Sequence, residues 1–177
     1  PELGQPTYVS ATIEAIVRDE PMATPCLEIS DHDDYAAGAV RFDFLDDAEI
    51  TSGFATIRCE LWFPSFVCGD GFSVMIREHG SSAASFTNLT FTSDGLLLAM
   101  DATFHSILLA EYEVGRVHSL AICHDLDAGD YDVWFDGVPV LVGEPHGVTG
   151  HGVGAVLFGC VHDPDLDGVF FVDDVLV

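Results

Sequence analysis

Apolar and polar residues alternate along this chain in short runs, and glycine, proline, aspartate and serine punctuate the gaps between them. A period of two sends successive side chains to opposite faces of an extended backbone. The pattern therefore predicts strands over residues 8–17, 39–44, 55–63, 72–77, 85–91, 96–100, 106–112, 118–123, 131–135, 138–142, 154–160 and 169–177. There is no long helical stripe and no internal repeat. Many short strands at near-regular spacing predict an all-β sandwich. No stretch rich in Pro, Gly or Ser is long enough to divide it, so residues 1–177 are expected to form a single domain.

The sharpest local expectation is a hairpin. Asp136-Gly137 supplies the positive φ angles of a two-residue type I′ turn, which pairs Phe135 with Val138, Val133 with Val140 and Tyr131 with Val142 and turns those six residues to the core. The opposite face then carries Asp132, Trp134 and Leu141. Segments 96–100, 107–110 and 153–161 are apolar on both faces, which marks either central strands or surfaces covered by a partner.

Composition narrows the class. At 177 residues, with 49% hydrophobic content and a mean hydropathy of +0.32, the chain can bury a full core. Its 30 acidic residues stand against 5 basic ones, all arginine, for a formal charge of −25. Such a surface repels phosphate and has no basic stripe, which argues against DNA, RNA and anionic membranes and in favour of cations. Self-repulsion opposes the compact state, so divalent ions or a salty medium are expected to stabilise it. No apolar run reaches the roughly 18 residues of a membrane span, and no membrane insertion is expected. The chain opens at Pro1 without a methionine, through either a removed leader or a trimmed start. The first explanation fits the sequon Asn88-Leu89-Thr90 and makes a secreted, extracellular protein the expectation.

The clearest chemical motif is Asp163-Pro164-Asp165-Leu166-Asp167-Gly168. Alternate carboxylates on a turning backbone converge on one point, glycine permits the bend, and a hard cation takes six to eight oxygens at about 2.3–2.6 Å. Asp163, Asp165 and Asp167, with the Val169 carbonyl, are therefore the expected ligands of a Ca2+ ion, as in the first half of an EF-hand loop. Residues 169–177 are rich in β-branched and aromatic side chains, the composition of a strand and not of a helix. Asp174, in the twelfth position, would lie about 23 Å from Asp167 along such a strand at ~3.3 Å per residue, too far to close the same site. The competing reading is a solvated acidic turn.

Cys26, Cys59, Cys68, Cys123 and Cys160 are too few and too irregular for a disulfide scaffold, although an oxidising compartment would let four pair. Cys123-His124 and Cys160-Val161-His162 would form a zinc or copper site only if those strand ends met; small core residues are the plainer reading. His118, His124, His146, His151 and His162 form no helical ligand pair and are expected at the surface or in turns.

The stretch from Val114-Gly115-Arg116-Val117-His118 through Asp130-Tyr131-Asp132-Val133-Trp134-Phe135-Asp136-Gly137, with Val172-Asp173-Asp174-Val175 near the end, resembles the second half of concanavalin A-like (laminin G-like) lectin/glucanase domains. Ala39-Val40-Arg41-Phe42-Asp43-Phe44 and Asp94-Gly95-Leu96 fit the same plan, while Val117 stands where a tryptophan is usual. The resemblance implies a two-sheet antiparallel jelly-roll sandwich, in a superfamily that often holds calcium and binds glycans. Glycosidases of that fold carry Glu-x-Asp-x-Glu on one strand, which places two carboxyls on one face. This chain lacks it: Glu60 is alone on its strand, Glu111-Tyr112-Glu113 and Asp130-Tyr131-Asp132 have no third acid, and the arginines show no lyase-like cluster. No Gly-x-Ser-x-Gly elbow is present either. The sequence therefore argues against an enzyme.

For binding, Glu60/Trp62 and Asp132/Trp134 each place a carboxylate two residues before a tryptophan, on the same strand face. Sugars stack CH faces on aromatic rings and bond hydroxyls to carboxylates, so two such pairs on an exposed sheet would make a glycan platform. Burial of both tryptophans in the core is the commoner alternative. These readings converge on a calcium-binding sandwich that recognises a glycan or cell-surface polysaccharide. The alternative is a homo-oligomer or polymer, with residues 6–17 added as a strand to a neighbouring subunit. Asp165→Ala is expected to lower the melting temperature in calcium and to leave it unchanged in a chelator; equal loss in both conditions would count against the ion.

Overall fold

The computed structural model describes residues 6–11, 13–31, 38–44, 49–65, 71–79, 85–146, 152–160 and 168–177. In chain order the strands are β1 (Tyr8–Val9), β2 (Ile13–Arg18), β3 (Cys26–Asp31), β4 (Gly38–Asp43), β5 (Phe54–Trp62), β6 (Phe72–Arg77), β7 (Ser85–Phe91), β8 (Leu96–Met100), β9 (Ser106–Glu111), β10 (Val117–Asp125), β11 (Asp130–Phe135), β12 (Val138–Pro145), β13 (Ala155–Cys160) and β14 (Gly168–Leu176). They form two seven-stranded antiparallel sheets, in the orders β1-β4-β13-β6-β7-β8-β9 and β12-β11-β10-β5-β14-β3-β2. No helix occurs among the described residues. This is the expected all-β, two-sheet sandwich.

Alternation decides what lies between the sheets. Ala55, Ile57, Cys59 and Leu61 of β5 and Leu120 and Ile122 of β10 are buried, while their chain neighbours face outward. An aromatic column joins the layers: Phe72 of the first sheet lies on Phe170 of the second, with ring centres 3.7 Å apart, and Phe91 meets Phe135 at 6.0 Å. Burying each such ring stabilises the fold by roughly 1.5–3 kcal/mol. Gly71 admits the chain to this column, because a Cβ there would lie 2.4 Å from the Phe91 carbonyl oxygen at a φ of +111°.

Several expectations change. The strand expected over 8–17 is two, broken by a turn in which the Ile13 amide donates to the Ser10 carbonyl (3.1 Å); β1 joins the first sheet and β2 the second. The N-terminal segment thus pairs within its own chain, with β4 and β3, instead of standing free for a neighbour. Strand β3 is an addition to the expected set, because small or polar Cys26 and Ser30 occupy buried positions there and blunt the hydrophobic signal. Of segment 153–161, residues 155–160 are central, as β13 lies between β4 and β6, whereas 107–110 belongs to edge strand β9, with Leu108 exposed. The sequon asparagine Asn88 sits mid-strand in β7 opposite Met75, not in the surface loop that a glycosylation acceptor needs.

The hairpin keeps its turn and loses its register. Asp136 and Gly137 have φ of 50° and 76°, and Phe135 pairs with Val138. Beyond that the ladder shifts on each side of Val133, so Val133 meets Leu141 and Tyr131 meets Glu144. Gly143, at φ 68°, donates its amide to Asp132 Oδ1 at 2.7 Å, which holds the irregularity in place. Phe135, Val133 and Tyr131 reach the core, but Val138 and Val142 are exposed.

Three histidines expected at the surface are buried: His118, His124 and His146. An inward position on β10 sends His118 and His124 to the core, and each ring finds polar partners there. His118 Nε2 donates to the Glu113 carbonyl (2.7 Å), and Nδ1 meets Asp136 Oδ2 at 2.9 Å. His146 Nε2 lies 2.6 Å from the Asp130 carbonyl, which can only accept, so that nitrogen carries a proton. His124 Nδ1, 3.0 Å from it, must then accept, which leaves the His124 proton on Nε2 facing Thr87 Oγ1 at 3.2 Å. The His124 ring is neutral in this arrangement. Burial, and then the charge of His146, push the His124 pKa down to about 3, and burial lowers that of His146.

Cys26, Cys59 and Cys123 are free thiols, in keeping with cysteines too few and irregular for a disulfide scaffold. Cys123 faces outward and His124 inward, and so they cannot share a metal; among the described residues no three Cys, His, Asp or Glu side chains are grouped to hold one.

The buried, neutral His124 dictates a response to acid. Native His124 refuses a proton that the unfolded chain accepts below about pH 6.5, so stability falls from there toward pH 3 by about 1.4 kcal/mol per pH unit for this group. Chemical denaturation between pH 7 and 4 is expected to show that slope as a difference between the native sequence and His124→Leu. Parallel profiles for the two would contradict it.

Candidate functional site

The outer face of the second sheet holds the binding residues expected from sequence. Strands β5, β10 and β11 lie side by side, and their outward positions are Thr56, Arg58, Glu60 and Trp62 on β5, Ser119, Ala121 and Cys123 on β10, and Asp132 and Trp134 on β11. Glu60, Trp62, Asp132 and Trp134 thus share one face, and neither tryptophan is in the main core. Register separates them nonetheless. Trp134 is level with Ala121 and Arg58, whereas Trp62 is level with Val117, four residues further along β5. Two strand spacings and four residues put their backbone positions about 16 Å apart. They do not form one platform.

Trp62 and Asp132 have structural work. Trp62 meets Phe171 edge-on at 5.3 Å and packs on a small second cluster of Met22, Cys26 and Phe171. Asp132 spends Oδ1 on the Gly143 amide.

Glu60 and Trp134 do come together. A cleft of about 370 Å³ has Ser119 and Ala121 of β10 as its floor, Trp134 and Gly137 on one side, and Arg58, Glu60, Asp174 and Leu176 on the other. It exists because β10 presents two small residues between strands bearing large ones. Asp174 enters through the end of β14: the ladder with β5 runs to Asp173 opposite Glu60, then shifts before Leu176 opposite Arg58, and Asp174 takes φ 49° in that irregularity. Burial, and then the charges of Asp174 and Asp173, raise the Glu60 pKa. Asp173 is held by the Thr24 hydroxyl on Oδ2 and by the Asp174 amide on Oδ1 (2.8 Å). The far rim is braced by Asp136, which accepts the Ser119 amide (3.0 Å) and meets His118 and Arg116; burial opposes ionisation, but these donors together hold its carboxyl below the ordinary range.

Arg58, Asp174, Ser119, Ala121 and Leu176 were not among the expected site residues. Arg58-x-Glu60 carries a signal in its spacing, since both must share a face. The arrival of β14 opposite Glu60 has none that is local. Elsewhere, Arg41 and Arg77 approach each other across β13 on the first sheet, where burial and then the Arg41 charge lower the Arg77 pKa, so the arginines are less scattered than the sequence implied. Of the expected calcium ligands, Val169 is the second residue of β14, opposite Ser30; Asp163, Asp165 and Asp167 lie outside the described residues.

No family model matches the sequence, and no curated protein matches it. Solved structures do match in fold. A sialidase superposes with a TM-score of 0.75 at 13% identity, over 95% of this chain and 16% of its own. An alginate lyase of polysaccharide lyase family 7 gives 0.66 at 15% identity, over 95% of this chain and 91% of its own. A conserved carbohydrate esterase from a Shiga toxin-encoding bacteriophage gives 0.62 at 9%, over 95% and 87%. This chain therefore spans a small part of the sialidase and most of the other two. These likenesses establish the jelly-roll sandwich.

The crowding of Glu60 by Asp173 and Asp174 has a measurable consequence. A carboxylate whose pKa is raised on folding weakens the native state once ionised, so stability gained at low pH is lost as pH climbs through the raised value. Glu60→Gln removes that loss. It is expected to stabilise the protein at pH 7 by about 0.5 kcal/mol, as thermal melts would report, and to have no such effect near pH 4.

Proposed function

We propose that this chain recognises a glycan in the cleft between Trp134 and Arg58. One observation carries the reading: a partly exposed indole and a carboxylate line the same cleft, over a floor of small side chains. An indole offers its face to sugar CH groups, and Glu60 accepts hydroxyl hydrogen bonds. The names of the three fold neighbours, a sialidase, an alginate lyase and a carbohydrate esterase, all concern carbohydrate, which supports the same choice of ligand. The proposed activity is adhesion or recognition outside the cell. Calcium on Asp163, Asp165 and Asp167 would neutralise part of the −25 charge and stiffen the approach to β14.

A second reading has a specific observation behind it. Glu60, whose pKa is raised by burial and by the nearby Asp174 and Asp173, shares the cleft with Asp174 from the neighbouring strand, and two carboxyl groups lining one sugar site are what glycoside hydrolysis uses. Here the acids meet across two strands instead of along one.

The chain has two tryptophans, so indole fluorescence tracks binding directly. Titration with a panel of soluble polysaccharides is expected to perturb that signal, and Trp134→Ala to weaken the tightest interaction at least tenfold, about 1.4 kcal/mol. Trp62→Ala is expected to lower the melting temperature and leave affinity in place. Release of reducing ends by the native chain and not by Glu60→Gln would favour the hydrolase; no fluorescence response to any member of the panel would refute both readings.

A further inference from the structure

Arg58 stands apart from the other arginines. Arg18 forks onto Glu28 with contacts of 3.0 and 2.9 Å, Arg41 pairs with Asp43 at 3.1 Å, Arg116 bonds Glu113 and Asp136, and Arg77 lies half-buried on the opposite sheet. Arg58 is exposed at the cleft and has no ion pair or hydrogen bond among the described residues. That is unexpected in a chain with 30 acids, one of which, Glu60, is two residues along the same strand face. The groups that perturb Glu60 are Asp174 and Asp173 and not Arg58. One wall of the cleft therefore carries a cation and a carboxylate as neighbours that are not paired with each other.

Resting on the glycan reading of this site, we infer that the sugar it takes is acidic, a uronate-type residue whose carboxylate is bound by Arg58. The backbone positions of Trp134 and Arg58 are level across Ala121, two strand spacings or about 9.6 Å apart, a span on the scale of one pyranose ring with its contacts. With the ring on Trp134, a carboxylate on its far edge meets the guanidinium fork, whose planar donors match a carboxylate bidentately. Hydroxyls on the adjoining edge reach Glu60, one row along on the same strand. A volume of about 370 Å³ is at the small end for ligand pockets and suits one or two sugar residues, not a long chain enclosed along its length. The −25 charge of the protein repels an acidic sugar at a distance but is screened within about 3 Å at molar salt, while the direct contact remains.

The test uses the full chain at 0.05 and 0.5 M NaCl with three probes: trigalacturonate, its carboxyl-reduced neutral trimer, and a trimer of glucosamine. Native protein is expected to bind the uronate at least tenfold tighter than the neutral trimer, and tighter at the higher salt. Arg58→Gln, an exposed change that leaves the fold intact, is expected to bring the uronate down to the level of the neutral trimer, and Arg58→Lys to recover part of the difference. Equal affinity for the first two probes, or tightest binding of the glucosamine trimer, overturns the acidic-sugar inference and leaves glycan recognition standing. Failure of all three, together with silence across the polysaccharide panel, overturns both.

Discussion

The floor of the cleft and its Arg58–Glu60 wall owe their position to the pairing of β5 with β10. The two strands run in unbroken register from Val117 opposite Trp62 to Asp125 opposite Phe54. Leu120, Ile122, Ile57 and Leu61 are thereby committed to the core, and Ser119, Ala121, Arg58 and Glu60 to the outer face. A slip of one residue would exchange the two sets, exposing the hydrophobic residues and burying Arg58 and Glu60 without partners. The aromatic column between the sheets opposes such a slip, and so the core that holds the sandwich together is also what positions the cleft.

The acidic composition has two kinds of use in this fold. Part of it holds turns: Asp101 Oδ1 accepts the amides of Thr103 and His105, Asp125 Oδ1 those of Asp127 and Ala128, Asp136 Oδ1 that of Ser119, and Asp132 Oδ1 that of Gly143. A carboxylate bonded to amide donors is stable when charged, which is why those bonds, His105 first, hold Asp101 below its ordinary pKa. The other part is frustrated. Glu60 faces Asp173 directly across a strand pair, and burial with like charge raises its pKa. Perturbation of that second kind within a cleft is the electrostatic signature expected of a binding or reactive position.

The buried histidines show the same logic applied inside. A ring that must sit among apolar side chains is tolerated when its nitrogens have partners of the right sense, and the chain from the Asp130 carbonyl through His146 to Thr87 supplies both for a neutral His124. His118 instead ties the hairpin turn to the core through Asp136, and its ring lies parallel to Phe135 at 4.9 Å. The turn that forms one rim of the cleft is therefore anchored from within.

Period-two alternation made the fold class legible in the sequence, along with most of the strands, the turn at Asp136-Gly137 and the shared outward face of Glu60 with Trp62 and of Asp132 with Trp134. Each of these depends on residues close together in the chain, where backbone geometry alone dictates direction. What the sequence left open depended on distant partners. Whether 8–17 stays in one sheet, how β12 slips past Val133, and which strand delivers Asp174 to Glu60 are settled by packing between segments far apart in sequence. The tryptophans illustrate the difference: alternation placed them on one face, but the register of three strands set their backbone positions about 16 Å apart, one covering a small cluster and the other left open to a ligand. Local steric rules fix direction along a strand, and only the tertiary ladder fixes who stands beside whom.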